Sequence, residues 1–147
     1  MKLRALVIDD SRVMRNMVMG AVARTRLAEF EFTEAEDGAD GLAKFDPCTI
    51  DIIFADWHMP KMSGIEFVRQ VRTSPQADRV PIIMVTSERT TGKMQEALDR
   101  AGADAYVCKP FTVDELAQKL SQVLAGRRGA ALAAARGGFF SKLLQGG

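Results

Sequence analysis

Three carboxylates, one hydroxyl and one ammonium each stand directly after a short apolar run. Asp9-Asp10 follows residues 3–8, Asp56 follows 50–55, Thr86 follows 80–85, and Lys109-Pro110 follows 105–108. A carboxylate can attack phosphorus as a nucleophile. Two more beside it repel it unless a cation sits among them, and hard oxygen donors with room for water suit Mg2+. An ammonium adds a point charge for a phosphoryl oxygen, and a threonine hydroxyl adds a hydrogen bond. The set can therefore hold a divalent cation and a phosphoryl group. Each residue alone also has a plainer reading. Asp56 can cap a loop, Asp10 can cap the helix that follows it, and Thr86 and Lys109 can simply end a sheet. Capping is a poor account of the adjacent pair Asp9 and Asp10.

The runs that must position these groups are rich in Val, Ile and Ala, the pattern of strands buried on both faces. A further strand is expected near residues 30–35. In an open parallel sheet, functional groups gather just beyond the carboxyl ends of the strands. Helical patterns alternate with the runs. Asp10-Ser11 offers an N-cap before Met14, Met17, Val18, Ala21 and Val22, and residues 38–45 form a short helix. Ile65, Phe67, Val68 and Val71 line one side of a helix that Ser74-Pro75 breaks. Residues 92–101, stopped by Gly102, make a fourth helix, and 113–124, opened by Thr112, a fifth. This alternation predicts an α/β doubly wound, five-stranded parallel sheet over residues 1–125. Residues 126–147 form a basic, Ala/Gly-rich extension.

Composition bounds the function. A chain of 147 residues with 47% apolar and 27% charged content is ordinary for a globular protein with one full core. No stretch approaches the ~20 apolar residues that span a bilayer, and the amino terminus lacks the apolar region of a secretory signal. A cytoplasmic location is expected. Cys48 and Cys108 are far apart in sequence and are expected to be reduced core thiols, not a zinc or disulfide pair. The net charge of +1 hides an asymmetry. All 19 acids and 16 of the 20 bases lie in residues 1–125, giving −3, whereas the four bases of the extension give +4. The extension is too short for a helix-turn-helix module, so DNA binding is not expected.

Four fragments carry a resemblance: Val7-Ile8-Asp9-Asp10-Ser11, Asp56-Trp57-His58-Met59-Pro60, Val85-Thr86-Ser87 and Lys109-Pro110-Phe111. In this order, each at a strand end, they resemble the receiver domain of two-component response regulators, and within it the CheY type with its flavodoxin-like (βα)5 fold. The resemblance covers residues 3–125. It implies a signalling switch, not an enzyme, with Asp56 as the phosphoacceptor for a sensor histidine kinase. It also implies that Asp10, Asp56 and the main-chain carbonyl of His58 ligate Mg2+, with Asp9 acting largely through water. Thr86, Tyr106 and Lys109 become the phosphoryl-sensing residues. The Tyr106 ring, which on pattern alone is equally well a core aromatic, turns inward as Thr86 moves toward the phosphoryl group. A cis peptide at Lys109-Pro110 is implied as well. The target implied is a protein such as the flagellar motor switch. His58 and Ser87 stand where the CheY pattern has Asn and Ala, and the His58 and Glu88 positions tune acyl phosphate lifetime in the family. An aspartate-nucleophile phosphatase would need a second Asp where His58 stands.

The extension supports a different class of reading. Arg128, Leu132, Arg136, Phe140 and Leu144 recur every four residues. The segment reads either as a disordered tail or as a helix that forms on binding, because short isolated helices are marginal in water. Arg127, Arg128 and Arg136 are candidate nucleotide ligands, since guanidinium forks hold phosphates bidentately and pair with guanine O6 and N7. The arrangement resembles CheY-like motor regulators whose arginine-rich extensions bind cyclic di-GMP. A basic tail touching acidic partners or anionic membrane is the plainer alternative.

Overall fold

Five parallel strands form one sheet: β1 (Lys2–Ile8), β2 (Glu29–Ala35), β3 (Ile52–Ala55), β4 (Ile82–Thr86) and β5 (Ala105–Cys108), in the order β2-β1-β3-β4-β5. The structure is a computed structural model that describes residues 1–136. Side chains of β1, β3, β4 and β5 alternate between two buried layers. Leu6, Ile8, Ile53, Ala55, Ile82, Met84 and Tyr106 face one, while Ala5, Val7, Ile52, Phe54, Ile83, Val85 and Val107 face the other. Covering both faces is what makes these strands continuous apolar runs. Only the edge strand β2 alternates, with Glu29 and Glu31 exposed and the half-buried rings of Phe30 and Phe32 stacked on each other.

Helices α1 (Arg12–Arg24) and α5 (Val113–Ala125) cover one face through Val18, Val22, Leu116 and Leu120. Helices α2 (Gly38–Lys44), α3 (Gly64–Arg72) and α4 (Thr91–Gln95) lie on the other, where Phe67 and Val68 are fully buried. Ser11, Asp37, Ser63 and Thr112 cap α1, α2, α3 and α5 through their side-chain oxygens. Ser11 performs the capping proposed for Asp10-Ser11, which leaves the Asp10 carboxylate for other work.

The structure corrects several boundaries. The Ile50 amide turns back to the Asp46 carbonyl at 2.8 Å, so β3 begins only at Ile52. Pro81 has no amide hydrogen and β4 begins after it, with Thr86 as its last residue and not the residue beyond it. The fourth helix changes to π-helical turns at Glu96–Ala101, and the wider turn lets the Gly102 amide reach the Ala97 carbonyl five residues back. Cys48 is exposed in the turn before β3 and Cys108 is half-buried, so Cys48 is not the core thiol expected. Beyond α5 the chain forms a sixth helix, α6 (Arg127–Arg136), whose Leu132 is buried. The Arg136 side chain, Phe140 and Leu144 lie outside the described residues. Among the described residues, no helix is long and apolar enough to cross a membrane.

Candidate functional site

The strand order reverses between β1 and β3, so the crevice above their carboxyl ends is left open by the crossing helices. The register pairs Ile8 with Ala55, and Asp9 and Asp56 are the next residue on each strand. Carboxylate oxygens of Asp9, Asp10 and Asp56 all lie within 4.8 Å of one another. Asp9 and Asp56 are buried and Asp10 is exposed. On the far side, β4 pairs Thr86 with Cys108, and Lys109 follows. The Lys109 amide donates to the Thr86 carbonyl at 2.9 Å, and the Lys109-Pro110 peptide is cis.

Lys109 crosses the crevice. Its Nζ donates to Asp9 Oδ2 at 2.7 Å and to Asp56 Oδ2 at 3.4 Å. The remaining oxygens accept main-chain amides: Ser11 N to Asp9 Oδ1 at 2.9 Å, and Trp57 N to Asp56 Oδ1 at 2.7 Å. Three carboxylates against one ammonium leave two negative charges, which one divalent cation would neutralise. Burial first, and then the neighbouring Asp9 and Asp56 carboxylates, push the Asp10 carboxyl above its ordinary range. Such mutual repulsion among all-oxygen donors fits a hard dication and gives no soft ligand for a transition metal.

Two residues outside the acid cluster hold it in shape. Gly64 opens α3 directly beneath the loop after Asp56, and its amide donates to the Trp57 carbonyl at 2.8 Å. A Cβ on Gly64 would lie 1.9 Å from the Asp56 carbonyl oxygen, so only glycine permits this approach. Arg15 donates from Nη1 to the Asp9 carbonyl at 2.7 Å while its Nε holds Glu34. Neither contact follows from a spacing pattern in the sequence.

The two switch candidates meet at the backbone of one residue, Glu88. Glu88 donates its amide to Thr86 Oγ1 at 3.3 Å, and its carbonyl accepts the Tyr106 hydroxyl at 2.7 Å. Tyr106 is buried, its ring already inward, and Thr86 is fully buried. Burial, then Cys108, Glu88 and Asp56, raise the Tyr106 phenol, which keeps it a hydrogen-bond donor. The Glu88 carboxylate reaches His58 Nε2 at 3.0 Å and Lys93 at 3.5 Å, and Lys93 lies 5.5 Å from the centre of the Trp57 ring. The His58 hydrogen bond is the main cause that pulls the Glu88 carboxyl down to about 2.

The structure thus brings Asp9, Asp10, Asp56 and Lys109 into one cluster, with Thr86 and Tyr106 joined through Glu88 on the adjoining strands. Residues 5–121 match the response regulator receiver domain family. The chain belongs to that family. Chemotaxis protein CheY1 of Helicobacter pylori is 36% identical over 123 residues, 83% of this chain and 97% of that protein. A CheY homolog of Campylobacter jejuni is 38% identical over 125 residues, 83% of this chain and 92% of that protein. Among solved structures, chemotaxis response regulator CheY4 of Vibrio cholerae superposes with a TM-score of 0.71 at 35% identity, over 84% of this chain and 99% of that chain.

Arg127 and Arg128 do not join the receiver's acidic crevice. Arg127 and Arg128 pair with Asp78 and Asp104, which precede β4 and β5 at the amino edge of the sheet.

Proposed function

We propose that this receiver domain is a phosphorylation switch that accepts a phosphoryl group on Asp56 from a sensor histidine kinase and acts by protein contact. The observation that carries the reading is the acid cluster bridged by Lys109, with two uncompensated charges at the mouth of the crevice. Mg2+ would be held by Asp10, Asp56 and the His58 carbonyl, with Asp9 acting through water, and would offset charge on the transferring oxygens. Asp56 attacks phosphorus, the bond from phosphorus to the kinase's imidazole nitrogen breaks, and an aspartyl phosphate forms. The new charge attracts Lys109 and offers an acceptor to Thr86. Because Thr86 and Tyr106 both bond the backbone of Glu88, one through its amide and one through its carbonyl, a moved hydroxyl biases the position of the ring. Similarity to the chemotaxis proteins CheY1 and CheY4 supports a target such as the flagellar motor switch and a cytoplasmic location. Radiolabel on an autophosphorylated sensor kinase should pass to wild-type protein and not to Asp56→Asn. Transfer to both would move the acceptor elsewhere.

A second reading, capture of cyclic di-GMP, rests on the acid-free run of Arg127, Arg128 and Arg136. With two of these guanidiniums engaged by Asp78 and Asp104, a nucleotide would have to displace those carboxylates. Calorimetric titration of cyclic di-GMP, with cyclic di-AMP as the control, tests it. Equal affinity for the two would leave only charge attraction.

A further inference from the structure

Thr86 and Tyr106 meet on the loop between β4 and α4, residues 87–90, because Glu88 lies in it. Where this loop sits therefore decides where the two side chains can be. Two of its own side chains tether it. The Glu88 carboxylate reaches His58 Nε2 at 3.0 Å, toward the loop after β3. Arg89 reaches the other way, and its Nη2 donates to the Lys109 carbonyl at 2.6 Å, just past β5. Arg89 is exposed. A surface arginine ordinarily keeps its rotamer freedom, so one held in a short charge-assisted bond restrains the segment that carries it.

The residue that Arg89 grips is the one whose ammonium crosses to Asp9 and Asp56. The Lys109 amide donates to the Thr86 carbonyl at 2.9 Å. With Arg89 on its carbonyl, Lys109 is bonded through both backbone groups to the end of β4 and the loop that follows. Side-chain bonds join the same two segments in opposite directions. Tyr106 donates into the loop, its hydroxyl 2.7 Å from the Glu88 carbonyl, and Arg89 donates out of it from the next residue. Each bond holds the spacing that the other needs. Cys108 Sγ, 3.9 Å from the Glu88 carbonyl, is too weak a donor to replace either.

We propose, on the reading of Thr86 and Tyr106 as the switch pair, that Arg89 is a positioning residue. Its strap to the Lys109 carbonyl keeps the Glu88 carbonyl at the Tyr106 hydroxyl and biases the ring inward before any phosphoryl group is present. Phosphorylation then enlarges a population that the loop already favours. The strap also sets where the response goes. A Thr86 hydroxyl drawn toward a phosphoryl oxygen works on a loop whose β5 side is fixed, so the change passes to Glu88 and Tyr106 instead of being lost as the whole loop slides. The Glu88 carboxylate cannot supply this restraint, because its partner His58 lies on the β3 side.

Tyr106 is the sole tyrosine, so fluorine NMR of the full chain labelled with 3-fluorotyrosine reports this ring alone. A soluble gadolinium chelate broadens the resonance of an outward ring and spares that of an inward one. In unphosphorylated wild type the resonance should be protected. Arg89→Ala, checked for fold by circular dichroism, should move the ratio of ring positions toward outward by about twofold to fivefold, the range expected of an exposed charged contact. Arg89→Lys keeps a charged donor on the loop and should recover part of that change. Arg79→Ala removes the same charge at the amino edge of the sheet, where its guanidinium lies on the Pro47 carbonyl, and should leave the ring as in wild type. A ring unmoved by Arg89→Ala, or moved equally by Arg79→Ala, would overturn the strap. All of these spectra are taken without phosphorylation, so that failure is separate from any failure of Asp56 as the phosphoacceptor.

Discussion

Replacing Asp10 by Asn should stabilise the cation-free protein and abolish most of its response to Mg2+. At 4.8 Å, two like charges repel by about 3 kcal/mol at an effective dielectric of 20 and by about 1 kcal/mol in water. Asp10 is exposed and Lys109 is nearby, so the lower figure governs, and removing its repulsion with Asp9 and Asp56 gains about 1 kcal/mol net. For a domain of this size that raises the melting temperature by about 2–4 °C. The sign agrees with the raised Asp10 carboxyl. A carboxyl whose folded pKa exceeds the unfolded value of 3.8 destabilises the fold once ionised. Stability of the cation-free wild type therefore falls as pH rises from that value through the raised one, and Asp10→Asn lacks this fall. With Mg2+ at a hundredfold excess over its dissociation constant, wild type should gain about 2.7 kcal/mol and overtake the variant. Scanning calorimetry with EDTA and with Mg2+ reads both arms. A variant that melts below wild type in EDTA, or that keeps the full Mg2+ increment, would refute the electrostatic reasoning.

Gly64→Ala should cost about 1–3 kcal/mol by overpacking against the Asp56 carbonyl and should sharply reduce acetyl phosphate labelling, read by thermal melting and intact mass. Lys109→Ala should leave the fold intact but uncouple phosphorylation from the Tyr106 ring, followed by the tyrosine resonances in NMR. Glu88→Ala removes the carboxylate that holds His58 and Lys93 while keeping the backbone amide and carbonyl that join Thr86 to Tyr106. It should shorten the aspartyl phosphate half-life severalfold, measured by loss of radiolabel, with phosphate uptake intact.

The strands and their order of functional residues were legible in the sequence because burial on both faces removes alternation and leaves continuous apolar runs. The acids were legible because register fixes them: once Ile8 pairs with Ala55, Asp9 and Asp56 must be neighbours. Gly64 was not legible as a site residue, since its role is an approach between atoms eight residues apart that no spacing pattern encodes. Glu88 was visible only as a position, because it joins Thr86 to Tyr106 through its backbone. The π-helical end of the fourth helix follows from one amide choosing a carbonyl five residues back, and apolar periodicity does not resolve that choice. The extension was the most ambiguous segment, because Ala-rich sequence is compatible with a free tail or a docked helix. What separates the two is the carboxylates Asp78 and Asp104, remote in sequence and adjacent in the fold.

Intact-mass spectrometry after treatment with acetyl phosphate tests the central claim most directly. Wild type with Mg2+ should carry one added phosphoryl group, whereas wild type in EDTA and Asp56→Asn with Mg2+ should carry none. Equal labelling of wild type and Asp56→Asn, or undiminished labelling in EDTA, would contradict a cation-dependent phosphorylation switch at Asp56.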